Sequence, residues 1–376
     1  MRLVRKRRGL LIAVGVPVLS VALALVVVGV LLAANGSDPV AAYRSMVSAA
    51  FGSTFALSTT LIKTLPRLLP ALGIALALRA GLWNVGAEGQ IYVGALAAAG
   101  VALFGPVIAF PVGAGLALVA AATAGAAWGA IPGALRAGRG ISEVITSLML
   151  VYVAIHLTNY LVEGPWLVSG STFPATDAVP TDLRLPIIWS GTLLNAGVLV
   201  ALAATAVVAF VLNRTVFGLQ LRAIGSNDRA SRVAGLSVGR VTIAAMAASG
   251  ALAGLAGGIE VLGARGRLIE GFSPGYGFEA IAIALLGRLN PLGIVGAALL
   301  FGALDAGGAG LQTTAEGVSS AIVPITEGLA VVFVLIGLGI VEMLGRRREA
   351  RAMLEGSQAA DRPVTHDGLA GPVVGA

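Results

Sequence analysis

The sequence predicts an all-α protein, a polytopic transmembrane helical bundle of about ten spans with both termini cytoplasmic. Three observations predict it. Hydrophobic residues make up 57% of the 376 positions and charged ones 11%, whereas a soluble domain carries about 25% charged residues. Too little polar surface remains to cover a globule in water. Runs such as 10–34, 187–212 and 321–341 are almost free of charge and reach the roughly 20 residues that a helix needs to cross a bilayer. Basic residues gather on one side of the layout these runs impose, as the positive-inside rule requires. The 52 glycines suit helices whose backbones approach closely in lipid, and no ~10-residue alternating strands of a barrel occur.

Taken in order, the first run follows Arg2, Arg5, Lys6, Arg7 and Arg8. A cleavable signal core spans about 7–15 residues. This run, 10–34, is longer and has no small-x-small site after it, so it reads as an uncleaved helix behind a basic cytoplasmic segment, 1–9. The spans are then 10–33, 56–80, 86–104, 108–135, 141–162, 188–212, 241–263, 278–289, 292–304 and 321–342. Only Arg44, Lys63, Arg67, Arg184, Arg265 and Arg267 fall outside; every other basic residue falls inside. Around 45–70 the chain reads as an interfacial helix or a further span. Segments 278–289 and 292–304, split by Asn290-Pro291, are two short crossings or the halves of a re-entrant hairpin. Residues 163–187 form an external loop punctuated by Pro165, Pro174, Pro180 and Pro186, and 213–240 form a cytoplasmic loop. The membrane domain runs over 10–342, and the charged, then Gly/Pro-rich tail 343–376 is expected to be disordered and cytoplasmic.

The net charge of +7 follows from this topology, so no nucleic-acid partner is inferred. A phosphate-binding GxxxxGK[ST] loop is excluded, because neither Lys6 nor Lys63 stands in one. His156 and His366 have no companions at ligand spacing, so no metal site is assigned; no nucleophile stands with a base, so no catalytic residue is assigned. In the loop 213–240, residues 225–235 read as a two-turn helix capped by Ser226 or Asn227 and ended by Gly235. Asp228 and Arg232 are spaced i,i+4, Arg229 adds charge, and Ala230, Val233 and Ala234 give an apolar side. Such a helix docks on a partner or is an ordinary solvated loop.

At 81–90, Asn84, Glu88 and Gln90 interrupt apolar sequence among three glycines. A carboxylate at membrane depth costs roughly 2.5–3.5 kcal/mol on insertion scales. The segment is a tight turn with Glu88 in a first helical turn, or a broken helix along a substrate path. Glu279 opens a second apolar segment after Ser273-Pro274-Gly275. Gly250, Gly254 and Gly258 form overlapping GxxxG patterns expected to pack helices closely.

At these motifs the chain resembles the permease family of bacterial ABC importers for simple sugars and nucleosides, within the wider group that includes branched-chain amino acid permeases. The resemblance covers about 65–342 and rests on GLWNVGAEGQIYVGA (81–95). It is supported by LRAIGSNDRASRVAGLSVGR (221–240), SGALAGLAGGIEVLG (249–263) and GYGFEAIAIALLGRLNPLG (275–293). Trp83 and Val85 replace the more usual Phe and Ile. The resemblance implies a multi-pass protein of the bacterial plasma membrane that binds no cofactor itself. Its partners would be an ATP-binding cassette ATPase carrying ATP-Mg, a second permease subunit of the same or homologous sequence, and an extracytoplasmic solute-binding lipoprotein. It further implies a substrate path along or braced by Asn84, Glu88, Gln90 and Glu279, and ATPase coupling through Asn227, Asp228, Arg229 and Arg232. The E-G-Q form of the motif puts nucleosides first as solute and ribose-type sugars next. The rival readings are an ion-gradient-driven secondary carrier with intramembrane carboxylates as coupling sites, and a non-transporting scaffold or membrane enzyme.

Overall fold

The computed structural model describes residues 22–34 and 38–314 except 106, 107, 109, 171 and 172, with single positions at 19 and 36 and scattered ones between 325 and 343. Among them the regular structure is helical, joined only by isolated bridges, Ala175 with Ile269 and Ile187 with Asn195. A short α1 (Ala22–Ala34) precedes α2 (Pro39–Phe51), which Asp38 caps by accepting from Val40 N with proline at the first helical position. Ser53 accepts from Ala56 N at 3.0 Å and starts α3 (Thr54–Arg79). Then come α4 (Ala87–Phe104), α5 (Val112–Arg139), α6 (Glu143–Glu163), α7 (Gly197–Arg214), α8 (Val216–Ser226) and α9 (Asp228–Val233). Next, α10 (Val238–Ile259) continues as a π-helical turn, Glu260–Arg265, before α11 (Tyr276–Leu286) and α12 (Pro291–Thr314).

Among the described residues, seven helices are long and apolar enough to cross a membrane: α3 to α7, α10 with its π turn, and α12 over Pro291–Gly310. They correspond to seven of the expected intervals. Of the others, 10–33 is described in part as α1, and 321–342 only at scattered positions; segment 1–9 and, Met343 apart, tail 343–376 lie outside the described residues.

Two expectations change. Lys63 and Arg67 do not belong to an outer segment; they lie inside α3, the most deeply buried of the long helices. The segment 278–289 is not a full crossing, since α11 is 11 residues long, about 16 Å at 1.5 Å per residue, against roughly 30 Å of hydrocarbon. Nor is it half of a matched hairpin, because α12 is a full-length helix. Instead an irregular segment, 266–275, leads from the π turn into α11.

Small residues set the centre. A Cβ on Gly250 or Gly254 would collide with the backbone of α5 at Gly125 and Ala121, and one on Gly257 with the backbone of α4 at Ile91. Gly258 abuts Ala121 and Ala98. Thus α10 lies between α4 and α5 with backbones touching, the arrangement small-residue repeats permit in lipid. At one end of the bundle, Arg79 Nη2 donates to Leu289 O at 3.0 Å, and Arg136 lies 3.5 Å from Glu143. This is the arginine-rich end. At the opposite end, the loop after α6 packs on the chain leaving α10: Thr176 N donates to Leu268 O, Val179 N to Gly266 O and Leu185 N to Leu262 O.

Candidate functional site

Between α3 and α4 the helical path breaks at 80–86, starting from the arginine-rich end. Gly81 adopts φ +74°, a left-handed turn that favours glycine. Asn84 Nδ2 then donates to Gln90 Oε1 and to Ser249 Oγ, both at 2.8 Å, and Gln90 Nε2 returns a bond to Asn84 Oδ1 at 3.0 Å. Ser249 lies about three turns into α10, roughly 16 Å from its start, so this buried triad sits at membrane depth. Sequence reasoning named Asn84 and Gln90; Ser249, remote in sequence, it missed. Asn84→Ala should cost about 1–3 kcal/mol, because Gln90 and Ser249 lose a partner where no water replaces it. Thermal unfolding in detergent would read this as a lower midpoint, and an unchanged midpoint would remove the triad from the stabilising contacts.

Glu88, in the first turn of α4, is buried, and its Oε2 accepts from Gly277 N at 2.6 Å. Gly277 is the second residue of α11, and a Cβ there would strike the Glu88 backbone. One carboxylate therefore serves two helix N-termini, satisfying an orphan N–H and sitting at the favourable end of both dipoles. That tie holds α4 and α11 together.

Glu279, one turn along α11, belongs to a charged cluster. The buried Arg67 donates through Nε to Glu279 and through Nη1 to Lys63 O at 2.8 Å, with Nη1 also 2.9 Å from Asp305 Oδ2 in an ion pair, and its guanidinium lies 4.7 Å from the centre of the Tyr276 ring. Lys63 Nζ lies 2.8 Å from Asp305 Oδ1. Glu260, on the π turn, pairs with Arg265 at 2.9 Å and lies within electrostatic reach of Arg67 and Lys63. Sequence reasoning found Glu279 alone. The signal that could have found the rest was charge inside apolar runs: Lys63 and Arg67 at i,i+4 in α3, and Asp305 in α12. Such residues in lipid need partners.

At the arginine-rich end, Gly225 at the end of α8 presses on the break: a Cβ there would collide with Arg79 O and come within 3.2 Å of Gly81 N. A cleft of about 710 Å³ opens there, lined by Gly81, Leu82, Arg136, Asn227, Asp228 and Arg232 among others. Asn227 caps α9 by accepting from Ala230 N at 3.0 Å, while Asp228 and Arg232 stand 3.9 Å apart on its exposed surface. Val233 is 91% exposed.

Residues 56–338 match the family described as "Branched-chain amino acid transport system / permease component". The chain belongs to this permease family. It is similar to the glucose ABC transporter permease protein TsgB13 of Haloferax volcanii, 40% identical over 336 residues, 86% of this chain and 87% of the relative. It is also similar to the guanosine ABC transporter permease protein NupP of Bacillus subtilis, 35% identical over 344 residues, 90% and 97% of the two chains. The nucleoside ABC transporter permease protein NupB of Lactococcus lactis is 31% identical over 346 residues, 90% and 94%. No solved structure matches. As a permease component the chain is a multi-pass plasma-membrane subunit of an ABC importer and a transport subunit, not an enzyme.

Proposed function

We propose that this permease carries nucleosides inward. Its partners are an ATP-binding cassette ATPase holding ATP and magnesium, a second permease subunit of the same or homologous sequence, and an extracytoplasmic solute-binding lipoprotein. The observation that carries the solute is the similarity to guanosine and nucleoside permeases over 90% of this chain. A glucose solute is the second reading, favoured by the 40% identity to TsgB13.

In this reading the arginine-rich end and both termini are cytoplasmic, the domain limits are 1–9, 10–342 and 343–376, and the loop 213–240 couples to the ATPase. Val233 is the apolar knob of α9, with Asn227, Asp228, Arg229 and Arg232 around it. A push on α9 reaches Gly225 and, through its backbone contact, Arg79 and Gly81. The displaced break then shifts Asn84, Gln90 and, through Glu88, the N-terminus of α11, opening or closing the path beside Glu279. Asn84, Glu88 and Gln90 brace the path.

The test is ATP-dependent uptake of labelled guanosine by proteoliposomes holding the whole importer. Guanosine should accumulate only with ATP inside the ATPase compartment. Val233→Asp, which puts a charge into an apolar contact, should lower uptake at least about tenfold and weaken ATPase association. Uptake driven by an imposed ion gradient without ATP would overturn the proposal.

A further inference from the structure

The charged cluster has a half-open edge. Arg67 has 1% of its side chain exposed, but Lys63 and Arg265 have 30%, Asp305 18% and Glu279 16%. Three of them stand well inside the span: Lys63 and Arg67 are roughly 14 and 20 Å along α3, and Asp305 is roughly 21 Å along α12, at 1.5 Å per residue; Arg265 closes the π turn at the far end of α10. Lipid is a poor neighbour for such an edge, because ionised side chains within a membrane face the bundle interior or water. The π-helical turn that carries Glu260 and Arg265 adds a second observation, since such turns are used to aim side chains at functional sites.

The cluster is also balanced. Lys63 and Arg67 pair with Asp305 and Glu279, and Arg265 pairs with Glu260, so three cations stand against three carboxylates. An edge without net charge gives no preference to an anion, a cation or a zwitterion. It offers carboxylate oxygens that accept from hydroxyls and ammonium or guanidinium groups that donate to them, side by side. That is the chemistry that holds a neutral polyol.

We propose that Lys63, Asp305, Glu279 and Arg265 form a wall of the solute path and bind the sugar hydroxyls of a neutral, polyhydroxylated solute. Arg67 is the pin that positions Glu279 and Asp305 from behind. The inference rests on the import function proposed above and names the part of the solute that the chain grips.

The chain has no cysteine, so single cysteines can report water at chosen places. Thr59→Cys, one turn from Lys63 on α3, and Ala309→Cys, one turn from Asp305 on α12, are to be assembled into the whole importer. Both are then exposed to a membrane-impermeant thiol reagent with and without guanosine or glucose; Val207→Cys on the exposed face of α7 is the lipid-side control. Both path cysteines should react, guanosine should slow them several-fold, and Val207→Cys should stay inert. Protection by glucose in place of guanosine would keep the wall and overturn the nucleoside reading. Inert path cysteines, or labelling that neither solute slows, would overturn the wall.

The grip on hydroxyls has its own readout. Uptake of guanosine should exceed that of its 2′,3′-dideoxy analogue by about tenfold in the parent importer, the size of a lost charge-assisted hydrogen bond. In Asp305→Asn and Lys63→Met the ratio should fall towards one. A preference that survives in either variant would overturn the assignment of that residue.

Discussion

Arg67→Leu should cost the permease about 3–5 kcal/mol, the largest loss expected from any single substitution here, because it breaks a buried ion network from one side. The guanidinium holds Glu279 and Asp305 and lies over Tyr276. Leucine fills part of the volume but takes the guanidinium from both carboxylates, leaving Asp305 with Lys63. The expected result is a melting midpoint in detergent lower by roughly 10 °C, with little importer assembled. Arg67→Lys keeps the charge but loses the fork that reaches two carboxylates at once, so it should fall between parent and leucine variant. A leucine variant melting with the parent would mean that the carboxylates find protons or water without the arginine. The network would then be no pillar of the fold.

That network also marks where reading the sequence stopped. The apolar runs gave α3, α5, α6 and α7 because span length is a local property, and GxxxG spacing gave the packing of α10 because small residues act wherever helices cross. The polar break at 81–90 was visible, with Asn84 and Gln90 near enough in sequence to be suspected together. Their third partner, Ser249, and the tie from Glu88 to Gly277 join residues far apart along the chain, and no periodicity records such pairs. The positive-inside rule sorts charges in loops and so misassigns Lys63 and Arg67, which lie inside a helix; their partner Asp305 is 242 residues from Lys63. The short α11 was equally illegible. Its 11 residues follow an irregular segment, 266–275, and where they start depends on Glu88 waiting to receive the first turn.

The second large effect is expected at Gly254. A Cβ there would collide with Ala121 O and lie 2.9 Å from Gly125 Cα on α5, while on the other side Gly94 of α4 already touches the Gly254 backbone. All three neighbours are backbone, so no side chain can swing away. Gly254→Val should therefore force α10 away from α5 and cost more than the 1–3 kcal/mol of ordinary overpacking. Intrinsic helix propensity predicts the reverse sign, since glycine in a helix interior is about 1 kcal/mol worse than alanine. Gly115→Ala on α5 separates the two effects: a Cβ there meets nothing within 4 Å, so that variant should be neutral or slightly stabilised. The displacement caused by Gly254→Val also has a functional reach. Ser249 lies about one and a half turns away on the same helix, so a tilt of α10 pulls on its bond to Asn84. Uptake should fall further than the melting midpoint alone accounts for. If both glycine variants melt alike, the close approach of α4, α5 and α10 is tolerated slack, and the link from helix crossing to polar break fails with it.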